Sequence, residues 1–569
     1  MRVAYLGRAS RRNNAPPTPL GDVVELLSDN WDDYTYKTYF PVVCRVGDRI
    51  LDLGPLRLLV RNEHTTSARL NQLLSEGWDG EFPIPESDYI SVPADITFYE
   101  QLDGAIGTDR TIEVAKLLRD ASYFVRIVED ETAKALVDTE GFRKSLQRER
   151  GSVKAYLDVW RILERESIAV LNLGFRFRDV LGGISTLNLN YQSESRLPHD
   201  INVLIGPNGS GKSQLLHQMV KDWISPSENK DTGFVAKPNL SQVIIVSYSP
   251  FERFPVDLAG KKLQDTQAYH YFGFRGRSSP KAEGKPGRIV VSHAFPRKNT
   301  ALALLNSLRD DKKFRIIRDW GRKVETAERV LRAAFDFDYV GVEVRANERV
   351  DHFYHDTNVN APLSLRIDDE GGARRFIPIH SNLIDELNVM EIEKMLTPLS
   401  GVTFFKDEQP IELSSGQRLF AYVVLNVLGA IRRNSLLLVD EPELFLHPTL
   451  EIQFVDMLKS ILARFNSKAL LATHSVVTVR EVPADCVHVF EMTADGVTLK
   501  HPPFQTFGGD VQRISSYVFG DRAASKPFEA WIKRQLDELG SSEELISLLG
   551  NELNEELIVQ IKAMESGLW

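Results

Sequence analysis

Cysteine is nearly missing: Cys44 and Cys486 are the only two in 569 residues, too few and too far apart for a disulfide framework or a zinc site. A reducing compartment fits that scarcity. Long apolar runs are missing too. None is long enough to cross a bilayer, and the opening Met1-Arg-Val-Ala-Tyr-Leu-Gly-Arg8 lacks the extended apolar core of a secretory signal, so a cytoplasmic protein is expected. Positive charge is in deficit, with 69 Lys/Arg against 79 Asp/Glu and a net charge of −10. That balance argues against a chain coated in nucleic acid but leaves room for a local basic patch. No extended a/d heptad is present, which removes long coiled-coil arms. The remainder, 43% hydrophobic and 26% charged, is a globular composition of two or three domains.

The most informative segment is Ile201-Asn-Val-Leu-Ile-Gly-Pro-Asn-Gly-Ser-Gly-Lys-Ser213, an apolar strand, a glycine loop and a helix start. Gly206, Pro207, Asn208, Gly209, Ser210, Gly211, Lys212 and Ser213 fit the phosphate-loop pattern G-x-x-x-x-G-K-[ST] at every fixed position. Its glycines let successive N–H groups turn inward around a polyphosphate. Lys212 is placed for the β/γ-phosphates and the Ser213 hydroxyl for Mg²⁺. ATP and Mg²⁺ are the expected cofactors.

Downstream, Ser435-Leu-Leu-Leu-Val-Asp-Glu-Pro-Glu443 ends an apolar run in adjacent carboxylates, as a buried parallel strand facing a nucleotide would. Asp440 is the expected Mg²⁺ holder, and Glu441 the catalytic residue that polarises the attacking water. Between these motifs, Leu413-Ser-Ser-Gly-Gln-Arg418 runs into an apolar helix-length segment. Ser414, Ser415, Gly416 and Gln417 there are either a plain helix cap or an anion site at a helix N-terminus.

The order of phosphate loop, L-S-x-G-Q helix and acid-ended strand resembles the ATP-binding-cassette ATPases. That resemblance implies that Ser414 to Gln417 close over the γ-phosphate bound by the opposite subunit. It also implies that His474, ending Leu470-Leu-Ala-Thr-His474, senses that phosphate. The turn Glu441-Pro-Glu-Leu-Phe-Leu-His-Pro448 is similar to soluble cassette ATPases of DNA maintenance and phage defence, and unlike transporters. The family's glutamine loop should follow Val243-Ile-Ile-Val246, but Ser247-Tyr-Ser-Pro-Phe-Glu252 holds no glutamine, with Ser249 the substitute candidate.

The expected fold class is α/β, an ABC-type P-loop ATPase with an N-terminal extension, a long insertion between phosphate loop and signature motif, and a helical C-terminal tail. The boundaries are an N-terminal accessory region at 1–166, an ATPase lobe at 167–255, a partly basic insertion at 256–385, a second ATPase half at 386–504 and a helical acidic tail at 505–569. The insertion follows from the 228 positions between Lys212 and Asp440. From Gly273 to Lys323 it carries fourteen Lys/Arg against four Asp/Glu. Arg275, Arg277, Lys281 and Lys285 are therefore candidates for nucleic-acid contact, against the plainer reading of a solvated face. The strands expected to lead into the phosphate loop are Ile168–Leu173 and Ile184–Tyr191. In the tail, Leu545, Leu548, Leu549, Leu553 and Leu557 read as helical spacing, and Asp537 to Glu556 holds seven acids and no Lys or Arg.

Motif order and the E-P-E-L-x-L-H-P turn resemble the ATPases of bacterial anti-phage operons, the Septu type and its retron-associated relatives. The resemblance implies a homodimer or larger oligomer that hydrolyses ATP and controls a separate HNH nuclease. The alternative class is a RecF-like ATPase that clamps DNA for repair. No nuclease centre of its own is expected: Asp351-His-Phe-Tyr-His-Asp356 lacks a second ligand cluster, and fewer than a hundred residues follow His474.

Overall fold

The computed structural model describes the chain apart from residues 8–20, 29–35, 167, 169, 171, 193–195, 227–230, 260–264, 279–286, 346–348, 370–371, 398–399, 494–495, 521–526 and 567–569. Two compact units result, Met1–Gly508 and Gly509–Trp569.

The first unit is built around a seven-stranded sheet: β1 (Ile201–Ile205), β2 (Val243–Ser247), β3 (Tyr269–Phe272), β4 (Leu436–Asp440), β5 (Lys468–Thr473), β6 (Val487–Thr493) and β7 (Gly496–Lys500). The spatial order is β3-β2-β4-β5-β1-β6-β7. Every neighbour is parallel except the β6–β7 pair. Strands β1, β2 and β4 are buried at every position. That is why they read as unbroken apolar runs and not as alternating ones: both faces of the sheet are covered.

Strand β5 follows β4 in the chain but lies between β4 and β1. Its register sets Asp440 opposite Ala472 and Thr473 opposite Ile205, while β2 sets Ser247 opposite Asp440. Four strands therefore end at one level, and the loops leaving them converge, as ligand-binding crevices of parallel sheets do.

Helix α1 (Lys212–Ile224) leaves the phosphate loop. Helices α2 (Ala294–Lys313) and α3 (Lys323–Ala334) pack against α4 (Ser415–Ala430). The α2–α4 approach is close because Gly429 faces Ala303, where a Cβ would lie 2.6 Å from the Ala303 Cα. An antiparallel sheet of Tyr339–Val344, Leu365–Asp369, Gly372–Ile379, Val402–Lys406 and Gln409–Pro410 accompanies these helices. The stretch expected as an insertion at 256–385 is thus built into the ATPase body. It supplies β3 to the central sheet and α2 and α3 to the packing on α4, and its own sheet runs on past residue 385. Linear distance between motifs carries no information about which sheet a late strand joins. Of the strand expected at Ile168–Leu173, residues 169 and 171 lie outside the described ones; the described strand is Leu173–Arg178, which pairs with Ile184–Leu189.

Residues before 164 form a five-stranded sheet with surrounding helices and a core of their own, from Val3 to Leu163. They dock on the ATPase body through ion pairs. Arg433 Nη1 donates to Glu100 Oε1 at 2.6 Å and Arg432 Nη1 to Asp95 Oδ2 at 3.4 Å. Burial raises the Glu100 carboxyl above its ordinary range, and Arg433 opposes that shift.

In the second unit, α5 (Pro527–Leu539), α6 (Ser542–Leu549) and α7 (Glu555–Glu565) pack around Ile532, Leu545 and Ile561. The leucine spacing read as one helix is split between α6 and α7 by a turn at Gly550, whose φ of +49° is left-handed. No described helix is long and apolar enough to cross a membrane.

His488 on β6 is buried beside β1, its Nε2 2.9 Å from Asn202 Oδ1. Burial first, and the nearby His501 second, hold its pKa down at about 3 against an ordinary 6.5. The unfolded chain therefore binds more protons between those values. Stability present above pH 6.5 is lost as pH falls through the window, by about 1.4 kcal/mol per pH unit. Urea titrations from pH 7.5 to 5 should show that slope, and His488→Gln should reduce it.

Candidate nucleotide site

The phosphate loop turns tightly at the end of β1. A Cβ at Gly206 would lie 2.8 Å from the Phe490 Cβ and 2.9 Å from its carbonyl oxygen, so only glycine fits against β6. Lys212, 5% exposed, donates from Nζ to the carbonyl oxygens of Gly206 at 2.9 Å and Pro207 at 3.1 Å. Burial depresses its pKa to about 8, opposed by Glu441, Glu443 and Asp440. The Ser210 hydroxyl is buried with no partner among the described residues. At the tip of the Leu173–Leu189 hairpin, Val180 flanks Gly211 and Leu181 is 56% exposed, an apolar surface beside the loop.

Ser213 Oγ donates to Asp440 Oδ1 at 2.8 Å, joining the two distant motifs. Ser247 Oγ donates to the other oxygen, Oδ2, at 3.4 Å. Asp440 is 3% exposed, and burial pushes its pKa up to about 7, with Ser213 opposing and Glu441 adding to the rise. A buried carboxyl and a hydroxyl on hard oxygen atoms, with further acids beside them, are a donor set that fits Mg²⁺. A dication there would restore the ionised carboxylate.

Glu441 has a left-handed backbone, φ +50°, unusual for a non-glycine residue, while its N–H donates to Ala472 O at 2.8 Å. The turn is thereby tied across to β5. Glu443 accepts from Thr473 Oγ1 at 2.8 Å and from the His474 N–H at 2.5 Å, and Glu451 accepts from Ser475 Oγ. Two carboxylates therefore hold the loop that carries His474. Burial and then Lys212 lower the His474 pKa, opposed by Glu441 and a backbone hydrogen bond at Gly206. All these groups stand at the C-terminal ends of interior strands of the sheet.

Ser414 is the N-cap of α4 in a reciprocal capping box. Its Oγ accepts from the Gln417 N–H at 3.3 Å, and Gln417 Oε1 accepts from the Ser414 N–H at 3.1 Å. Ser414 and Ser415 are exposed and Gly416 is buried. The cap and the anion-site readings thus share one geometry, with the serine pair facing outward.

Sequence reasoning assigned no role to Ser247, Glu443 or Glu451. Ser247 ends a buried strand as Asp440 does, and Glu443 stands two residues beyond Glu441; only strand order reveals what each touches. Ser249, the substitute candidate for the missing glutamine, has its backbone carbonyl bonded to the Glu252 N–H, while Ser247 in the same segment sends its hydroxyl, as Ser213 does, to Asp440.

The basic candidates differ from expectation. Arg275 Nη1 donates to Glu252 Oε2 at 3.2 Å and to Phe254 O at 3.1 Å, and Arg277 forms an ion pair with Asp257. Lys281 and Lys285 lie outside the described residues. Elsewhere in the segment, Arg309 pairs with Glu393, Lys313 with Asp52 and Arg315 with Asp385. The acids are contributed from outside the counted window, so a linear charge tally overstates the field. Arg275→Ala leaves the Glu252 carboxylate, 1% exposed, short of its cation. It should cost about 3 kcal/mol, seen as a lower denaturation midpoint.

Asp351 pairs with Arg349 at 2.6 Å. Among the described residues, the group with metal-ligating spacing is His199, Asp485 and Cys486. There, His199 Nε2 is 3.0 Å from Asp485 Oδ2, and burial pushes the Cys486 thiol up to about 12, so it stays protonated.

A family model described as "AAA domain, putative AbiEii toxin, Type IV TA system" matches residues 290–480, the stretch holding Ser414, Asp440, Glu441 and His474. That AAA-type match covers the second part of the candidate site, and the loop Gly206–Ser213 precedes it. The chain is similar to Protein ea59 of Escherichia phage lambda, 22% identical over 558 residues, covering 95% of this chain and 94% of that protein. It is also similar in structure to a nucleotide-free ATP-binding cassette from an ABC transporter, at 11% identity and a TM-score of 0.26, covering 58% of this chain and 92% of the other.

Proposed function

We propose that this chain is an Mg²⁺-dependent ATPase whose copies pair across shared ATP sites and whose nucleotide state controls an effector in anti-phage defence, an HNH nuclease by resemblance. The observation that carries the ATPase reading is the hydrogen bond from Ser213 to Asp440, which unites phosphate loop and acid pair around one buried carboxyl. Loop N–H groups and Lys212 bind the polyphosphate; Ser213 and Asp440 would hold Mg²⁺, which would supply charge neutralisation on the phosphates. Glu441 accepts the proton of the attacking water. His474, fixed through Glu443, contacts the terminal phosphate.

The outward-facing Ser414 and Ser415 support pairing, because their helix N-terminus is open to a phosphate held by a second copy. Support for a defence role comes from the toxin–antitoxin wording of the matched family and from the turn at 441–448. The test is complementation. Ser414→Arg and Lys212→Ala should each be inactive alone, and mixing them should restore turnover through dimers with one intact site. No recovery, together with an ATP-independent monomer in sedimentation, refutes sharing. Purification from native extract should yield an HNH protein whose cleavage depends on ATP, and a partner without that nuclease overturns the effector assignment.

A further inference from the structure

The Gly509–Trp569 unit carries a feature that the ATP site does not explain. Its three helices bury only a small core, and between α5 and the α6–α7 turn they leave a pocket of about 480 Å³. Ile532, Leu553 and Leu557 line its floor. Phe528 and Trp531 stand at its wall, 41% and 42% exposed. The volume lies within the range of concave ligand-binding sites, ample for a bulky side chain. Half-exposed aromatics around an apolar cleft are the composition of an interface anchor point, whereas a solvent face would be polar.

The rim sets the sign of the occupant. Glu552 and Glu556 flank the pocket, both exposed, and no Lys or Arg is among its lining residues. The span of the lining residues, 528–560, holds Glu529, Asp537, Glu538, Glu543, Glu544, Glu552, Glu555 and Glu556 against Lys533 and Arg534, so the bias stays acidic. Such a rim repels a phosphodiester backbone and attracts ammonium and guanidinium groups.

We propose that this pocket docks a basic amphipathic protein segment, with a large apolar side chain seated among Trp531, Leu553 and Leu557 and flanking Lys/Arg side chains paired with Glu552 and Glu556. The helix-in-groove mode supplies both parts: apolar anchors at helical spacing and charges beside them. This inference stands apart from the nucleotide chemistry.

The test uses the full chain without nucleotide and a fluorescein-labelled 18-residue Leu/Lys amphipathic helix, read by fluorescence anisotropy. The Leu/Lys peptide should bind at least tenfold more tightly than an 18-residue Ser/Lys peptide of equal charge, and a Leu/Glu peptide should not bind. Trp531→Ala should weaken binding about tenfold. Because that change could loosen the small core, Glu552→Lys/Glu556→Lys provides a surface variant, and it too should lose about tenfold. ATP turnover measured in parallel should be unchanged in both. Equal affinity of the variants, or equal binding of the Ser/Lys or Leu/Glu peptide, overturns the proposal. So does concentration-dependent self-association abolished by Trp531→Ala, which would make the occupant a second copy. Duplex DNA competing at this pocket would overturn it as well.

Discussion

Glu441→Gln is expected to lower ATP turnover by about 10³-fold while leaving Mg-ATP affinity within a few-fold of the parent. The amide keeps the size and polarity of the side chain but cannot accept a proton at neutral pH. Asp440, which carries the hydrogen bond to Ser213, is untouched. The strained backbone at 441 is held by the Ala472 carbonyl and not by the side chain, so the turn should survive. Single-turnover hydrolysis and equilibrium nucleotide binding separate the two quantities. Turnover within threefold of the parent would remove Glu441 from the chemistry.

Lys212→Met should act in opposite directions on the empty and nucleotide-bound protein. In the empty form the ammonium is buried and its pKa lowered to about 8 from 10.5. The unfolded chain binds the proton more tightly across that window, so below pH 8 the folded state bears the whole difference, about 3 kcal/mol. Methionine removes that cost but leaves the carbonyl oxygens of Gly206 and Pro207 without their donor, at about 1 kcal/mol each. Methionine fills the space without the charge, so the empty variant should be about 1 kcal/mol more stable. Loss of two charge-assisted contacts to phosphate, about 1.5 kcal/mol each, should weaken ATP about 100-fold. Thermal melts with and without Mg-ATP report both effects. A variant less stable when empty and still stabilised by ATP would contradict the role given to Lys212.

Much of the site was legible because its parts are contiguous motifs. Gly206 to Ser213 must be glycine-rich, lysine-bearing and followed by a helix, and those demands fall on neighbouring residues. Asp440 and Glu441 were legible because an apolar run buried on both faces has to end where the sheet meets ligand. Ser247, Glu443 and Glu451 were not. Ser247 ends a strand, Glu443 sits in the short 3-10 turn Pro442–Phe445 and Glu451 in the first turn of the helix Pro448–Arg464, and the meaning of each comes from the strand end standing beside it. The basic segment was misleading for the same reason: Glu252, Asp257 and Asp52, which pair with it, lie outside the segment in sequence.

By itself, the sequence determined the α/β class and the places of a glycine-rich loop and an acid-ended strand, since local pattern and turn chemistry act over a few residues. Only the tertiary structure decided that β5 lies between β4 and β1, bringing the His474 loop between phosphate loop and acid pair. The same is true of the arginines paired with carboxylates distant in sequence, and of Leu545 to Leu557, whose single helical spacing is divided between α6 and α7 beside an acidic-rimmed apolar pocket. Those outcomes depend on which distant surfaces meet, and burial, which sets the pKa values of Asp440 and Lys212, exists only once they have met.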